Sequence, residues 1–181
     1  DQVVVAVPAE QAATLLAPWD AAMAQQAAAT VSQPCWTVMM AFAEPLPTPV
    51  KTWRSDGAIG WAACNSSKPG RTGPDAWVVQ ASPAWSRQYL EADAGWVKDA
   101  LLASLADTLQ ITLPDAVCSQ VHRWRYARSG AQGDALFHNP VLGLGACGDW
   151  LIGPRVECAW RSGRLLGQAL VAAIEAGLQD R

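Results

Sequence analysis

Leu142-Gly143-Leu144-Gly145-Ala146-Cys147-Gly148-Asp149-Trp150-Leu151-Ile152-Gly153-Pro154-Arg155-Val156-Glu157-Cys158-Ala159-Trp160-Arg161-Ser162-Gly163 is the stretch on which the reading of this chain turns. Leu142 to Ala146 is short, apolar and strand-like. From about Val156 to Leu178 the spacing predicts a long helix, with Val156, Ala159, Trp160, Gly163, Leu166, Leu170, Val171 and Ile174 on one face. Gly143 to Gly148 spells GxGxxG, but that fingerprint needs glycines that turn directly from strand into helix. Here Asp149 to Pro154 reads as a loop. The position about twenty residues on falls inside the same helical pattern, so the match is a decoy. What remains is a carboxylate leaving the end of a strand, followed by a helix start with no capping side chain. Asp149 can accept hydrogen bonds from hydroxyl groups, and free N–H groups with the positive helix end suit negative charge. The competing reading makes Asp149 an ordinary N-cap at the end of a strand.

Outward from this stretch, strands and helices alternate without an internal repeat. Val3 to Val7 is a continuous β-branched run, the pattern of a strand buried on both faces in a parallel sheet. Such a strand wants neighbours on both sides, which leads to the expectation that an N-terminal portion precedes Asp1. Ala9 to Leu16 and Ala21 to Ala29 read as helices, the first opened by Pro8. Cys35 to Phe42, Ala58 to Cys64, Trp77 to Ala81 and Val117 to Tyr126 read as strands, with a proline loop at Pro45, Pro47 and Pro49. Ser82-Pro83 opens a helix at Ala84 to Leu90, and Asp93 to Leu109 is a longer one with Trp96, Val97, Ala100, Leu101 and Leu105 in step. Residues 128 to 140 read as loop.

Composition closes off several classes of function. With 13 Lys and Arg against 16 Asp and Glu, the net charge is -3, so no basic surplus exists for a phosphate backbone or an anionic bilayer. No apolar run reaches the ~18 residues of a membrane-spanning helix. The two histidines, His122 and His138, and five widely spaced cysteines form no metal-ligand pattern, so no metal is expected. That cysteine usage points to small buried side chains in a reducing cytoplasm. Ten Trp against two Phe and two Tyr invites a ring-binding module, but Trp77, Trp96 and Trp160 fall in apolar patterns that predict burial.

A flavin offers both features that Asp149 and the helix start ask for: a hydroxylated ribityl chain, and a pyrimidine edge that becomes anionic on reduction. Gly148-Asp149 followed by Val156-Glu157-x-Ala159-x-x-Ser162-Gly163 resembles the C-terminal FAD-binding motif of the amine oxidase-like flavoproteins. Trp61 to Arg71, Trp77 to Ser86 and His122-Arg123-Trp124-Arg125-Tyr126-Ala127 look more narrowly like bacterial renalases, over essentially all 181 residues. The family's N-terminal Rossmann part, with its own GxGxxG, is absent from this sequence.

The resemblance implies an α/β (α+β) fold. A mixed-sheet substrate domain with helices would occupy 19–126, flanked by FAD-domain segments at 1–18 and 127–181 that supply the C-terminal strand and helix of a Rossmann-like domain. It implies FAD, a dihydronicotinamide dinucleotide substrate, and O2 as electron acceptor. By the same resemblance Gly148 and Asp149 bind the ribityl chain, and the backbone at Arg155 and Val156 faces the flavin pyrimidine. Trp124 matches an active-site tryptophan, and Asn65 lies in a substrate-facing turn. Taken alone, Trp124 also fits a packed core aromatic. His122, two residues away on the same strand face, fits either a general base or a structural histidine. One position departs from the pattern: Gln80 stands where relatives often carry His.

Overall fold

Two sheets organise the chain, and they belong to separate compact units. A computed structural model describes residues 2–179. One unit is discontinuous, formed by 1–33 and 128–181; the other, 34–127, is inserted between its halves. The first division therefore falls at residue 33 and not 18. Residues 21–28 stay with the discontinuous unit because Met23, Ala24 and Ala27 bury in its core.

The discontinuous unit holds a three-stranded sheet in the order β1 (Val3–Val5), β8 (Leu144–Ala146), β7 (Phe137–Asn139). β1 runs parallel to β8, with Val4 opposite Gly145, and β7 runs antiparallel, with His138 opposite Gly145. Against it pack α1 (Ala9–Leu16) and α2 (Ala21–Ala28), whose alanines allow a close approach. Asp20 caps α2 by accepting from the Met23 N–H at 3.0 Å, and its other oxygen accepts from Asn139 Nδ2 at 2.8 Å. Trp150 is buried beside Phe137 and donates its indole N–H to Val7 O at 3.1 Å. α5 (Asp149–Ile152) and α6 (Val156–Gln179) complete the unit.

Four expectations change here. Val3 and Val4 are 58% and 47% exposed, because β1 is laddered only to β8 among the described residues. Residues 149–152 form a helical turn where loop was expected. Phe137–Asn139 is a strand inside the expected 128–140 loop. Trp160 is 65% exposed: the face of α6 that meets the protein carries Cys158, Ser162 and Leu166, so it shares Leu166 with the stripe read in the sequence but is turned away from Trp160.

The inserted unit is a five-stranded sheet, β3 (Thr52–Arg54), β4 (Ile59–Cys64), β5 (Asp75–Ala81), β2 (Gln33–Phe42) and β6 (Cys118–Arg128) in spatial order. The β3–β4, β4–β5 and β5–β2 pairs are antiparallel. Alternate residues Trp36, Val38, Met40, Trp77 and Val79 bury on one face against α4 (Ala94–Leu109), which offers Val97, Leu101 and Leu105 at four-residue steps. α3 (Pro83–Gln88) and α4 start at Ser82 and Asp93, whose side chains accept from Trp85 N–H at 3.3 Å and Trp96 N–H at 3.0 Å. Trp96 is exposed rather than buried. It sits one residue before Val97, off the core stripe, with its ring parallel to Trp85 at 6.0 Å. At Gly60 the β4–β5 ladder shifts register, and a Cβ there would lie 3.0 Å from Ser82 Cα, so the bare backbone lets the strands close. Beneath the sheet Asp75 accepts from Leu46 N–H at 3.0 Å, Trp77 Nε1 at 2.9 Å and the Cys64 thiol at 3.1 Å. β3 was not anticipated.

Candidate functional site

β8 delivers the first half of the candidate site. The chain leaves Ala146 through Cys147, whose N–H donates to Val5 O at 3.1 Å, to Gly148, whose N–H donates to the buried Ser162 Oγ at 3.1 Å. A Cβ on Gly148 would fall 2.5 Å from the Trp150 indole nitrogen, so this backbone stays bare. Gly148 is the N-cap of α5, which makes Asp149 its first helical residue and removes the reading of Asp149 as a cap. Asp149 as a residue is half-buried, and its carboxylate accepts no hydrogen bond among the described residues.

The next turn opens α6. Gly153 N–H closes back on Asp149 O at 2.6 Å, and Arg155 N–H donates to Gly153 O at 2.8 Å. Arg155 O then accepts the first bonds of α6, from Cys158 at 3.0 Å and Ala159 at 3.2 Å. The Arg155 N–H is thus already engaged. The amides that a helix start leaves outside its ladder are those of Val156 and Glu157. Gly148 and Asp149 open α5, and Arg155 and Val156 open α6, the two linked through the bonds from Gly153 to Asp149 and from Arg155 to Gly153.

The inserted unit carries the other candidates. On β6, Val121, Arg123 and Arg125 alternate with His122, Trp124 and Tyr126, which are the more exposed set. Arg123 lies over the buried Trp36 ring at 5.5 Å, so the core side of β6 is the arginine side and Trp124 points to the opposite face. Trp124 is 52% exposed, which removes the core-aromatic reading. The His122 ring meets it edge-on, 4.2 Å between centroids at 62°. The same sheet face carries a row set by register: Arg54 opposite Trp61, Trp61 opposite Gln80, Gln80 opposite Thr37. Of the two positions not singled out in the sequence, Arg54 is exposed and Thr37 is buried. Alternation opposite the buried stripe is the signal that finds them.

Asn65 is not brought to Trp124. It opens the short 3-10 turn Asn65–Ser67 just past Cys64, which pairs with Trp77, itself opposite Met40. β6 begins beside that same end of β2, where Val117 N–H donates to Ala41 O at 2.8 Å. Trp124 lies seven residues further along, about 23 Å at the strand rise, and Asn65 is three strands away across the sheet.

No metal-holding group of His, Cys, Asp and Glu occurs among the described residues, and no helix among them is long and apolar enough to cross a membrane. All five cysteines are free, and burial pushes the Cys35, Cys64 and Cys147 thiols up, away from thiolate chemistry.

No family model matches the chain. Its fold is that of several solved oxidoreductases. A protein assigned as a protoporphyrinogen oxidase, from Exiguobacterium sp. 255-15, aligns over 95% of this chain at TM-score 0.68 and 16% identity. An oxidoreductase from Methanosarcina mazei aligns over 93% at 0.63 and 16%, and cyclohexylamine oxidase from Brevibacterium oxydans over 96% at 0.67 and 13%. The chain spans 41%, 43% and 43% of those three proteins respectively, about two fifths of their length. The mixed α/β architecture expected from the sequence is the one observed.

Proposed function

We propose that this chain is the C-terminal part of an FAD-dependent oxidoreductase of renalase type, acting in the cytoplasm on isomeric dihydronicotinamides of the NAD(P)H kind. The observation that carries the reading is Asp149, which, among the described residues, has no donor to its carboxylate and opens the short turn that leads into the uncapped start of α6. A ligand with hydroxyls at one end and an electron-rich ring edge at the other satisfies both, and FAD has that arrangement. Gly148 and Asp149 would hold its ribityl hydroxyls, while Val156, with Arg155 shaping the turn, would face the pyrimidine edge. When bound, FAD supplies hydride acceptance and passes the electrons to O2, giving H2O2.

The inserted unit supplies orientation. Trp124 and His122 form an aromatic wall for the nicotinamide, and Gln80, Trp61 and Arg54 extend the same face under the rest of a dinucleotide. His122 works here as packing for the indole, since hydride transfer asks for alignment more than for a base. Asn65, at the far end of the sheet, would meet only the remote portion of an extended substrate. Fold kinship with oxidoreductases supports the class, and cyclohexylamine oxidase among the matches favours amine oxidation as the second reading.

The test is to purify the gene product, quantify bound flavin, and mix it anaerobically with isomeric dihydronicotinamide. Flavin bleaching, then H2O2 on admitting air, is expected. A product without flavin sinks the reading, and bleaching by amines alone selects the second.

A further inference from the structure

β6 is the outer strand of its sheet, laddered on one side only among the described residues, and such a strand is free to twist. Behind it, on the face turned away from Trp124, the two residues that flank Trp124 in sequence converge on one carboxylate. Glu91 lies in the link between α3 and α4. It accepts from Arg123 Nη1 at 2.6 Å through Oε2, and from Arg125 Nη1 at 2.7 Å through Oε1, with Arg125 Nη2 adding a bond to Oε2 at 3.2 Å. Arg123 also donates to Leu90 O at 2.7 Å and lies over Trp36, whose indole donates to Tyr89 O at 2.9 Å. One carboxylate and two guanidiniums thus tie both neighbours of Trp124 to the α3–α4 link.

We propose that Glu91 is a positioning residue: by gripping Arg123 and Arg125 from behind the sheet it sets the tilt of Trp124, and through Trp124 that of His122, at the wall where a planar ring docks. The ring itself rests on the reading of this face given above; the positioning does not. Hydrogen bonds from Arg125 first, and then Arg123, hold Glu91 below the usual carboxylate range, so the clamp stays charged at neutral pH. Isolated exposed ion pairs contribute little to stability. The clamp's role is therefore one of direction: where a side chain points, with little change in whether the unit folds.

The experiment uses the chain itself, isotopically labelled for NMR. In Glu91→Ala the Trp124 indole and His122 imidazole signals should shift and broaden, while the Trp77 and Trp150 indoles and the thermal midpoint hold. Glu91→Gln, which keeps an acceptor oxygen, should restore the two signals in part. Binding of nicotinamide mononucleotide, followed by tryptophan fluorescence, should weaken about tenfold in Glu91→Ala, short of the roughly hundredfold that a misplacement of about 1 Å can cost in rate. It should weaken no further when Glu91→Ala is added to Trp124→Ala, because the two act as one unit. Unmoved Trp124 and His122 signals overturn the proposal, and so does a general shift of every indole, which would make Glu91 an ordinary structural residue. If the two signals move but the wild-type chain ignores the mononucleotide, the positioning holds and the ring-site reading falls.

Discussion

Asp149→Ala, made in the flavin-loaded gene product, should separate ligand binding from folding. The carboxylate accepts no hydrogen bond from the described residues, and the cap of α5 is Gly148, so removing it strips nothing that the protein holds for itself. The folded chain loses only the favourable placement of an acid in a helix's first turn, about 0.3 to 1 kcal/mol. A ribityl hydroxyl bonded to the carboxylate is a different matter. Hydrogen bonds to charged groups contribute about 1.5 to 3 kcal/mol, which is roughly ten- to hundredfold in affinity at about 1.4 kcal/mol per decade. Flavin titration followed by fluorescence quenching gives the affinity, and a thermal melt gives the stability. Unchanged affinity together with a collapsed melting temperature would refute the reasoning, because Asp149 would then be holding the turn and not a ligand.

Trp77→Ala should destabilise the inserted unit by about 3 to 5 kcal/mol, since Trp77 is 1% exposed and its indole is one of three donors to Asp75; denaturant unfolding measures it, and a loss below about 1 kcal/mol contradicts the packing described. Trp124→Ala should leave circular dichroism and flavin content intact while slowing flavin reduction by dihydronicotinamide on the order of a hundredfold; equal rates in stopped flow would remove Trp124 from the site. The 181-residue chain purified alone should be colourless, because its described residues offer only the flavin-end contacts; a yellow preparation would count against that. Burial pushes Asp75 up, but its bonds from Leu46, Trp77 and Cys64 outweigh this and leave it below the usual carboxylate range. A depressed native value means the unfolded chain takes up the proton first, so this contribution is present above the unfolded value of about 3.9 and is lost as pH falls through the native one. Asp75→Asn should flatten the acid limb of stability against pH, and an unchanged limb would show that other groups set it.

The elements that were legible in the sequence are those with enough length to show a period. Asp75–Ala81 buries every second residue, and α4 repeats its buried side chains every four. β3, β7 and α5, at three or four residues each, are too short to repeat a period even twice; only pairing with β4 and β8, or the closing bond from Gly153 to Asp149, defines them. The apolar face read on α6 holds both Trp160 and Leu166, and composition alone does not tell which edge of it meets the protein. The ambiguity at Asp149 had the same root. Whether a Gly or the following Asp is the cap depends on backbone angles, and those depend on Ser162 holding Gly148 from a distant turn. Trp124 was marked by the family resemblance and His122 joined to its strand face by the two-residue spacing, but which face they occupy follows from Arg123 lying over Trp36, a tertiary fact.

The discontinuous unit is stitched from both ends of the chain, and that sets an order of events during synthesis. Val3 finds its partner Leu144, and Val7 O receives the Trp150 indole, 143 residues later in sequence. Among the described residues, two of the three strands in that unit's sheet, β7 and β8, come from the last third of the chain. Residues 34–127 are under no such constraint, since their strands pair within the segment. They can fold first and, once compact, bring the two distant ends nearer. This reduces the entropy that long-range closure costs. A fragment ending near residue 130, once released, should therefore already protect Trp77 from solvent.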